Sequence, residues 1–218
     1  AAKFIKNKLY KNNAAIYYVN DEYGVSLAKE FQNAFTAMNG KIIFNEAFTP
    51  GQKDFKTILY KIKNLNPDVI YFPGQAAETG LILKQAKEIG LNVTFVGGDG
   101  SYSPDLITIA GNTAENTYYT IMSMGFGVSD SLIHSFTGKF KRKYGIEPSV
   151  YSAYAYDAGK IISYVISKSE FTSESIKENL YKVRNYKGVT GYTTFDEFGE
   201  VNKDFYVYVV KHGKFIKF

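Results

Sequence analysis

Three short stretches of the chain combine glycine or other small residues with polar and aromatic side chains. They read NDEYGVS (Asn20–Ser26), PGQAAETG (Pro73–Gly80) and GGDGSYS (Gly97–Ser103). Glycine lets a ligand approach the backbone closely, while a few fixed carboxylate, amide and phenol groups orient it. This combination predicts recognition of a small ligand. The candidate contacts are Tyr23, Gln75, Glu78, Gly98, Asp99 and Tyr102.

Acidic side chains at such positions also have purely structural roles. Asp21 precedes a predicted helix, and we interpret it as the N-cap of that helix. Glu78 falls in the first turn of another predicted helix, where it either complements the helix dipole or contacts a ligand, and both interpretations stay open. Asp99 differs because it lies between glycines, several residues before the helix start that Pro104 favours. We therefore expect the Asp99 carboxylate to face a ligand.

Motifs of the common enzyme classes are absent from the sequence. It has no Gly-x-x-x-x-Gly-Lys-Ser/Thr phosphate loop, no Gly-x-Ser-x-Gly nucleophile elbow and no Gly-x-Gly-x-x-Gly dinucleotide fingerprint. The two histidines, His134 and His212, are predicted to be surface or packing residues, and there is no cysteine to join them in a zinc site. Asp99 and Asp105 lack the acidic alternation of a calcium loop. The sequence predicts no enzyme, no metal and no cofactor.

The composition indicates a globular protein that does not bind nucleic acid. Of 218 residues, 45% are hydrophobic and 17% aromatic, which is enough for a sizeable core. The 26 Lys and Arg against 21 Asp and Glu give a net charge of +5, without a basic stripe interleaved with aromatic residues. The absence of cysteine fits an exported protein. No apolar run approaches the ~18 residues of a membrane span.

The elements that must position the candidate residues follow a strand–helix rhythm. Apolar runs at Ala14–Val19, Val69–Phe72 and Val93–Val96 predict strands buried on both faces, and Lys41–Phe48 and Thr117–Met122 are weaker members of the series. Helical periodicity fills the gaps between them. The prediction is a doubly wound α/β fold with a parallel sheet. With the common strand order 2-1-3-4-5, the loops after strands one, three and four lie side by side at the ligand-binding edge.

The pattern changes after Met122. SMGFGVSD (residues 123–130) reads as a link between lobes, and two helices follow within residues 129–168. A third helix is predicted around Ser175–Val183, and residues 191–218 carry strand and turn signals.

Several motifs together closely resemble the type I periplasmic binding proteins, and most closely the branched-chain amino-acid (Leu/Ile/Val-type) solute-binding proteins of ABC transporters. The resemblance runs along nearly the whole chain, in order and with the expected spacing. The stretches that carry it are AAIYYVNDEYGVSLAKEF, FTPGQKDFKTILYKIKNLNPDVIYFPGQAAETGLILKQAKEIGL, FVGGDG, AYAYDAGK and YKGVTGYTTFDEFGEV.

The resemblance implies a Venus-flytrap protein whose two α/β lobes close on a small solute. Residues 1–124 correspond to a ligand-binding lobe of βα repeats, residues 125–190 to the helical part of the other, incomplete lobe, and residues 191–218 to a β tail returning to the first lobe. The opening section of the family has no counterpart here. We therefore expect the helices within residues 129–168 to leave apolar faces exposed, which predicts either association with another chain or a rearrangement of these helices.

The resemblance also assigns roles to site residues. It implies that Tyr23 packs on the ligand, that Asp99 holds the α-ammonium group of the ligand, and that Tyr151 closes the pocket. The position of Gln75 is commonly aromatic in the branched-chain binders, so glutamine there suggests a more polar solute.

The function that the resemblance implies is that of an extracytoplasmic solute-binding component of an ABC importer. Its ligand would be an amino acid or related small polar solute and its partner a membrane permease, in the periplasm or outside the cell, with or without a lipid anchor. Two alternatives stay open. One is the ligand-binding ectodomain of a sensor or receptor, which membrane-spanning or kinase sequence in the full gene would identify, and the other is an α/β enzyme acting on a small metabolite.

Overall fold

The computed structural model describes residues 1–122, 131–203 and 205–218. The chain divides into two compact units, the first made of Ala1–Ile121 and Tyr206–Phe218 and the second of Met122–Phe205. The predicted link at residues 123–130 lies outside the described residues.

Helices and strands alternate through the first half of the chain, as the apolar runs predict. The helices are α1 (Ala2–Asn7), α2 (Glu22–Ala37), α3 (Lys56–Leu65), α4 (Ala76–Glu88), α5 (Pro104–Ala110), α6 (Ser131–Tyr144), α7 (Val150–Ile166) and α8 (Ser173–Tyr181). The strands are β1 (Asn13–Val19), β2 (Lys41–Phe48), β3 (Val69–Tyr71), β4 (Thr94–Gly97), β5 (Tyr118–Met122), β6 (Tyr186–Gly188), β7 (Gly191–Phe195), β8 (Val201–Asn202), β9 (Phe205–Lys211) and β10 (Lys214–Lys217). Short 3₁₀ turns cover Asp99–Ser101 and Gly111–Ala114.

The first unit is built on a seven-stranded sheet in the order β2-β1-β3-β4-β5-β9-β10. The pairs among β1 to β5 are parallel, and β10 pairs antiparallel with β9. The predicted order 2-1-3-4-5 is therefore confirmed, with two further strands added beyond β5. Because the paired strands run in the same direction, the loops that follow β1, β3 and β4 meet at one edge of the sheet.

Burial explains why the strands lack polar alternation. Ala14, Ala15, Ile16 and Tyr17 of β1 are all fully buried, as expected for a strand covered on both faces. Aromatic stacking fastens α2 to the sheet, since the Phe31 ring lies 4.2 Å from the ring of Tyr71 on β3.

Local signals set the helix ends in the first unit. The Asp21 carboxylate accepts a hydrogen bond from the Gly24 amide at 2.7 Å, so the predicted N-cap of α2 is confirmed. Gly90 follows α4 with a φ of +67°, the left-handed conformation in which glycine ends a helix at little cost. Ser103 caps α5, and Pro104 occupies its first turn.

The second unit joins α6, α7 and α8 to a three-stranded sheet in the order β6-β7-β8. The buried Asp157 carboxylate on α7 accepts hydrogen bonds from the Val189 and Thr190 amides, both at 2.8 Å, and so ties the β6–β7 turn to the helix. Strand pairing carries this unit beyond the sequence-based boundary at residue 191, because β7 pairs antiparallel with both β6 and β8. The segment 191–205 belongs to the second unit, and the return to the first unit begins at Tyr206.

Candidate ligand-binding site

Three loops of the first unit are tied together at the carboxyl edge of the sheet. The Tyr23 hydroxyl, just inside α2, donates to Asp99 Oδ1 at 2.8 Å and accepts from the Gly100 amide at 2.9 Å. The Ser101 hydroxyl donates to the Gly74 carbonyl at 2.8 Å. The loops after β1, β3 and β4 thus form one hydrogen-bonded assembly, at the edge where open parallel sheets bind ligands.

Two glycines make this close approach possible. A Cβ atom added at Gly98 would lie 2.6 Å from the Tyr23 hydroxyl oxygen, well inside van der Waals contact. A Cβ at Gly100 would lie 3.0 Å from the Gly74 carbonyl oxygen and 3.1 Å from Oε1 of Gln75. The glycines therefore leave room for neighbouring side chains, and Gln75 is brought beside the loop that carries Asp99.

The electrostatics of the assembly centre on Asp99. Burial raises the pKa of the Tyr23 hydroxyl far above its usual range, and the negative charge of Asp99 raises it further. Burial and the same charge also raise the pKa of Tyr71. Tyr23 therefore stays protonated, and its hydroxyl donates to the Asp99 carboxylate at the end of β4. That arrangement suits a cationic group on a ligand.

The second oxygen of Asp99 is available for such a cation. Asp99 is half-buried, and within the described part of the chain no group donates a hydrogen bond to Oδ2. Gln75 offers a second open group, because it occupies the N-cap position of α4 without a side-chain capping bond. Its side chain is exposed and has no hydrogen-bond partner among the described residues.

Glu78 and Tyr102, the other two side chains predicted in these loops, point elsewhere. The buried Glu78 carboxylate accepts a hydrogen bond through Oε1 from the Gly51 amide at 2.9 Å, in the loop after β2. The Tyr102 ring packs on Tyr208 and Phe215 with centroid distances of 5.1 and 4.3 Å, and burial raises its pKa to about 12. The structure therefore brings Tyr23, Gln75, Gly98 and Asp99 together, without Glu78 or Tyr102.

Tyr151 belongs to the second unit. It is the second residue of α7 and is 57% exposed.

Two residues beside the assembly were not among the contacts predicted from the sequence. Ser26 and Leu27 line a concave surface on α2 together with Tyr23. A Cβ at Gly98 would lie 3.3 Å from Leu27 Cδ1, so Leu27 also reaches the Asp99 loop. The spacing i, i+3, i+4 from Tyr23 was the available signal, because such residues share one helix face.

Residues 1–122, 131–203 and 205–218 contain neither a metal-binding cluster nor a membrane-spanning helix. No group of three or more His, Cys, Asp or Glu side chains is placed to hold a metal ion within these ranges. No helix in them combines the length and the apolar character needed to cross a bilayer.

Comparison with known proteins identifies relatives along the whole chain. The sequence profile of the periplasmic binding protein family matches residues 1–214. The chain is 30% identical over 210 residues to the leucine-, isoleucine-, valine-, threonine- and alanine-binding protein of Pseudomonas aeruginosa, covering 95% of this chain and 56% of that protein.

Solved structures show the same fold. The crystal structure of the leucine-binding protein LivK from Thermotoga maritima matches with a TM-score of 0.91 and 31% identity, over 99% of this chain and 62% of that one. LivJ from Streptococcus pneumoniae, in complex with isoleucine, matches with a TM-score of 0.82 and 30% identity, over 99% of this chain and 63% of that one.

The chain thus spans less than two thirds of the length of these relatives, which are solute-binding proteins by name. Its match to the family nevertheless extends from the first residue to residue 214. The chain belongs to the type I periplasmic binding protein family, in the branch that includes the branched-chain amino acid binding proteins.

Proposed function

We propose that this chain carries the ligand-binding lobe of an extracytoplasmic solute-binding protein that serves an ABC importer. The ligand is an amino acid or a related small polar solute. The observation that carries the proposal is the Asp99 carboxylate, which Tyr23 fixes at the carboxyl edge of the sheet and whose Oδ2 accepts no hydrogen bond from the described residues. The names of the relatives support it, since the Pseudomonas aeruginosa protein is named for five amino acids and the Streptococcus pneumoniae structure holds isoleucine.

Asp99 has the chemistry to select an amino group. A hydrogen bond between a carboxylate and an ammonium contributes about 1.5–3 kcal/mol. A carboxylate that becomes buried without a cation costs about 3–5 kcal/mol. Ligands that lack an ammonium group are therefore rejected once the site closes, because they leave Asp99 unpaired.

The neighbouring residues divide the remaining tasks. Tyr23 packs its ring on the ligand while its hydroxyl orients Asp99, and Gly98 keeps the space that this ring requires. The family resemblance further assigns Tyr151 a contact with the ligand. Gln75 meets the ligand side chain with its free amide, which favours a solute with a hydrogen-bonding side chain over a purely aliphatic one.

Glu78 and Tyr102 support the site without touching the ligand. Through Gly51, Glu78 joins the first turn of α4 to the loop after β2. Tyr102 anchors the end of the Asp99 loop on β9 and β10.

The remaining expectations concern location and partners. We propose that the protein acts in the periplasm or outside the cell, with or without a lipid anchor, and delivers its solute to a membrane permease.

We also propose that the exposed apolar face of α7 pairs with a second copy of the chain. Ile162 and Ile166 on that face are 44% and 37% exposed. Light scattering tests this pairing, since Ile162→Lys should shift a dimer to monomer, and a wild-type monomer at high concentration would refute it.

Calorimetry with a panel of L-amino acids tests the proposed function, using the protein with all of its natural sequence. We expect Asp99→Ala to abolish the binding that the wild type shows. Asp105→Ala is the matched control, since Asp105 lies six residues further along in the first turn of α5. Unchanged affinity in Asp99→Ala would remove Asp99 from the site, and no binding by the wild type would contradict the function itself.

A further inference from the structure

The second unit contains a concave pocket whose charged lining is entirely basic. The pocket has a volume of about 490 Å³ and lies between the end of α7, the end of α8 and the start of β6. None of its lining residues is an acid. The side chains that matter are Lys168, Lys182, Arg184, Lys187, Tyr164 and Tyr186.

Two cations of this pocket, Lys168 and Arg184, are held in place by uncharged groups. The Lys168 ammonium lies 4.2 Å from the centroid of the Tyr164 ring and donates to the Tyr164 hydroxyl at 2.7 Å. Arg184 Nη1 donates to the Tyr181 and Val183 carbonyls at 2.6 and 3.0 Å. Within the described residues, none of Lys168, Lys182 and Arg184 forms an ion pair with a carboxylate.

The pocket rests on a packed floor. Ile161, Val165 and Val183 form a buried cluster beneath it, with Tyr186 packed against that cluster. Asn185 adopts a φ of +50°, which makes a left-handed turn between α8 and β6. Its backbone amide donates a hydrogen bond to Thr194 Oγ1 at 2.9 Å. The turn directs the chain from Arg184 into Tyr186, so the basic and aromatic groups are fixed relative to one another.

A larger pocket in the first unit shows that a basic lining is not simply the result of a lysine-rich sequence. That pocket has a volume of about 790 Å³ and contains Lys11 and Lys87. It also contains Asp68 and Glu115, so its charges are mixed. The pocket of the second unit differs from it because all of the charged residues that line it are basic.

We propose that the pocket around Lys182 and Arg184 binds a phosphate-bearing ligand. A phosphate group presents several acceptor oxygens and a charge of up to about −2 near neutral pH, which matches a cluster of ammonium and guanidinium donors. The Tyr164 and Tyr186 rings, whose centroids are 5.5 Å apart, offer an apolar wall to the group that the phosphate esterifies. The phosphate comes from a free phosphate ester or from a phospholipid headgroup. This site is separate from Asp99 and does not depend on the proposed amino-acid function.

Charge reversal at Lys182 tests the proposal. The soluble probes are inorganic phosphate and glycerol 3-phosphate, whose binding is detected by NMR shifts of the amides at residues 182–187. The membrane probes are vesicles of phosphatidylglycerol and, for comparison, of phosphatidylcholine, whose binding is detected by co-sedimentation. Lys182→Glu is compared with Lys160→Glu, which makes the same charge change at an exposed position of α7 outside the pocket. Circular dichroism confirms that both variants fold.

We expect Lys182→Glu to weaken binding of one of these probes about tenfold or more and Lys160→Glu to leave it nearly unchanged, since the charge effect falls with distance and screening. Binding of glycerol 3-phosphate identifies a free ester as the ligand source, and binding of phosphatidylglycerol vesicles alone identifies a headgroup. Equal losses in both variants, or no binding of any probe at low salt, would overturn the proposal.

Discussion

The two units of the chain differ in how much of their apolar surface they cover. In the first unit, α2 buries Phe31 and Phe35 against the sheet, and β1 and β3 are enclosed almost completely. In the second unit, Phe136 is the one buried residue of the fully described helix α6, and α8 buries none. The first unit therefore has an extensive core, whereas the second unit has smaller buried clusters and leaves apolar residues such as Ile162 and Ile166 of α7 exposed.

The tyrosines show the same contrast. Tyr17, Tyr71 and Tyr119 of the first unit are buried at 3% exposure or less, and Tyr23 is fixed by two hydrogen bonds. Among the described residues of the second unit no tyrosine is buried, and Tyr192 is 61% exposed, although the first unit also has exposed tyrosines such as Tyr10 at 79%. The buried tyrosines thus lie in the unit that carries the proposed amino-acid site. We expect substitutions in the two units to change the stability of the protein by different amounts.

The largest difference should come from truncating a phenylalanine in each unit. Phe35 is fully buried in the first unit, and Phe171 is 87% exposed in the second. Phe35→Ala should lower the free energy of unfolding by about 3–5 kcal/mol because it leaves a cavity. Phe171→Ala should change it by less than about 0.5 kcal/mol. Urea unfolding measures both, and similar losses would mean that the units do not differ as described.

Glycine-to-alanine exchange should have opposite signs in the two units. At Gly98 the new methyl group would collide with the Tyr23 hydroxyl, so we expect a loss of about 1–3 kcal/mol and a displaced Tyr23 ring. At Gly159, inside α7, a Cβ would meet nothing within 4 Å, so alanine should stabilise the helix by about 0.5–1 kcal/mol. Thermal unfolding checks the signs, and a neutral Gly98→Ala would show that Tyr23 is not tightly held.

A smaller effect should appear at alkaline pH in the first unit. Burial raises the pKa of Tyr17 to about 12, whereas an unfolded tyrosine ionises near about 10. The stabilisation from keeping this phenol protonated is complete below pH ~10 and is lost as pH rises through ~12. Tyr17→Phe should therefore gain roughly 1–2 kcal/mol relative to wild type between these values. A stability difference independent of pH would show that Tyr17 ionises as easily in the folded protein.

Much of the first unit could be predicted because its signals are local. Continuous apolar runs identified the strands, and the crevice rule placed Asp99 among the loops that the structure joins. The sequence did not reveal that residues 191–205 belong with the second unit, because this depends on the pairing of β7 with β6 and β8, which only the folded chain shows.

Side-chain direction was the other feature that the sequence did not contain. Glu78 sits in the expected first turn of α4, but its partner Gly51 lies in a different loop, 27 residues earlier. Tyr102 follows the Asp99 loop, yet its ring packs on strands near the end of the chain. The need for glycine at position 98 likewise depends on the hydroxyl of Tyr23, which only the folded chain brings there.

The central claim is that the Asp99 carboxylate recognises the amino group of the ligand. Calorimetry can isolate this interaction by comparing the L-amino acid that binds best with its 2-hydroxy acid analogue, in wild type and in Asp99→Asn. The wild type should prefer the amino acid by about 10–150-fold, which corresponds to about 1.5–3 kcal/mol, and Asp99→Asn should lose most of that preference. An equal preference in both proteins would contradict the claim.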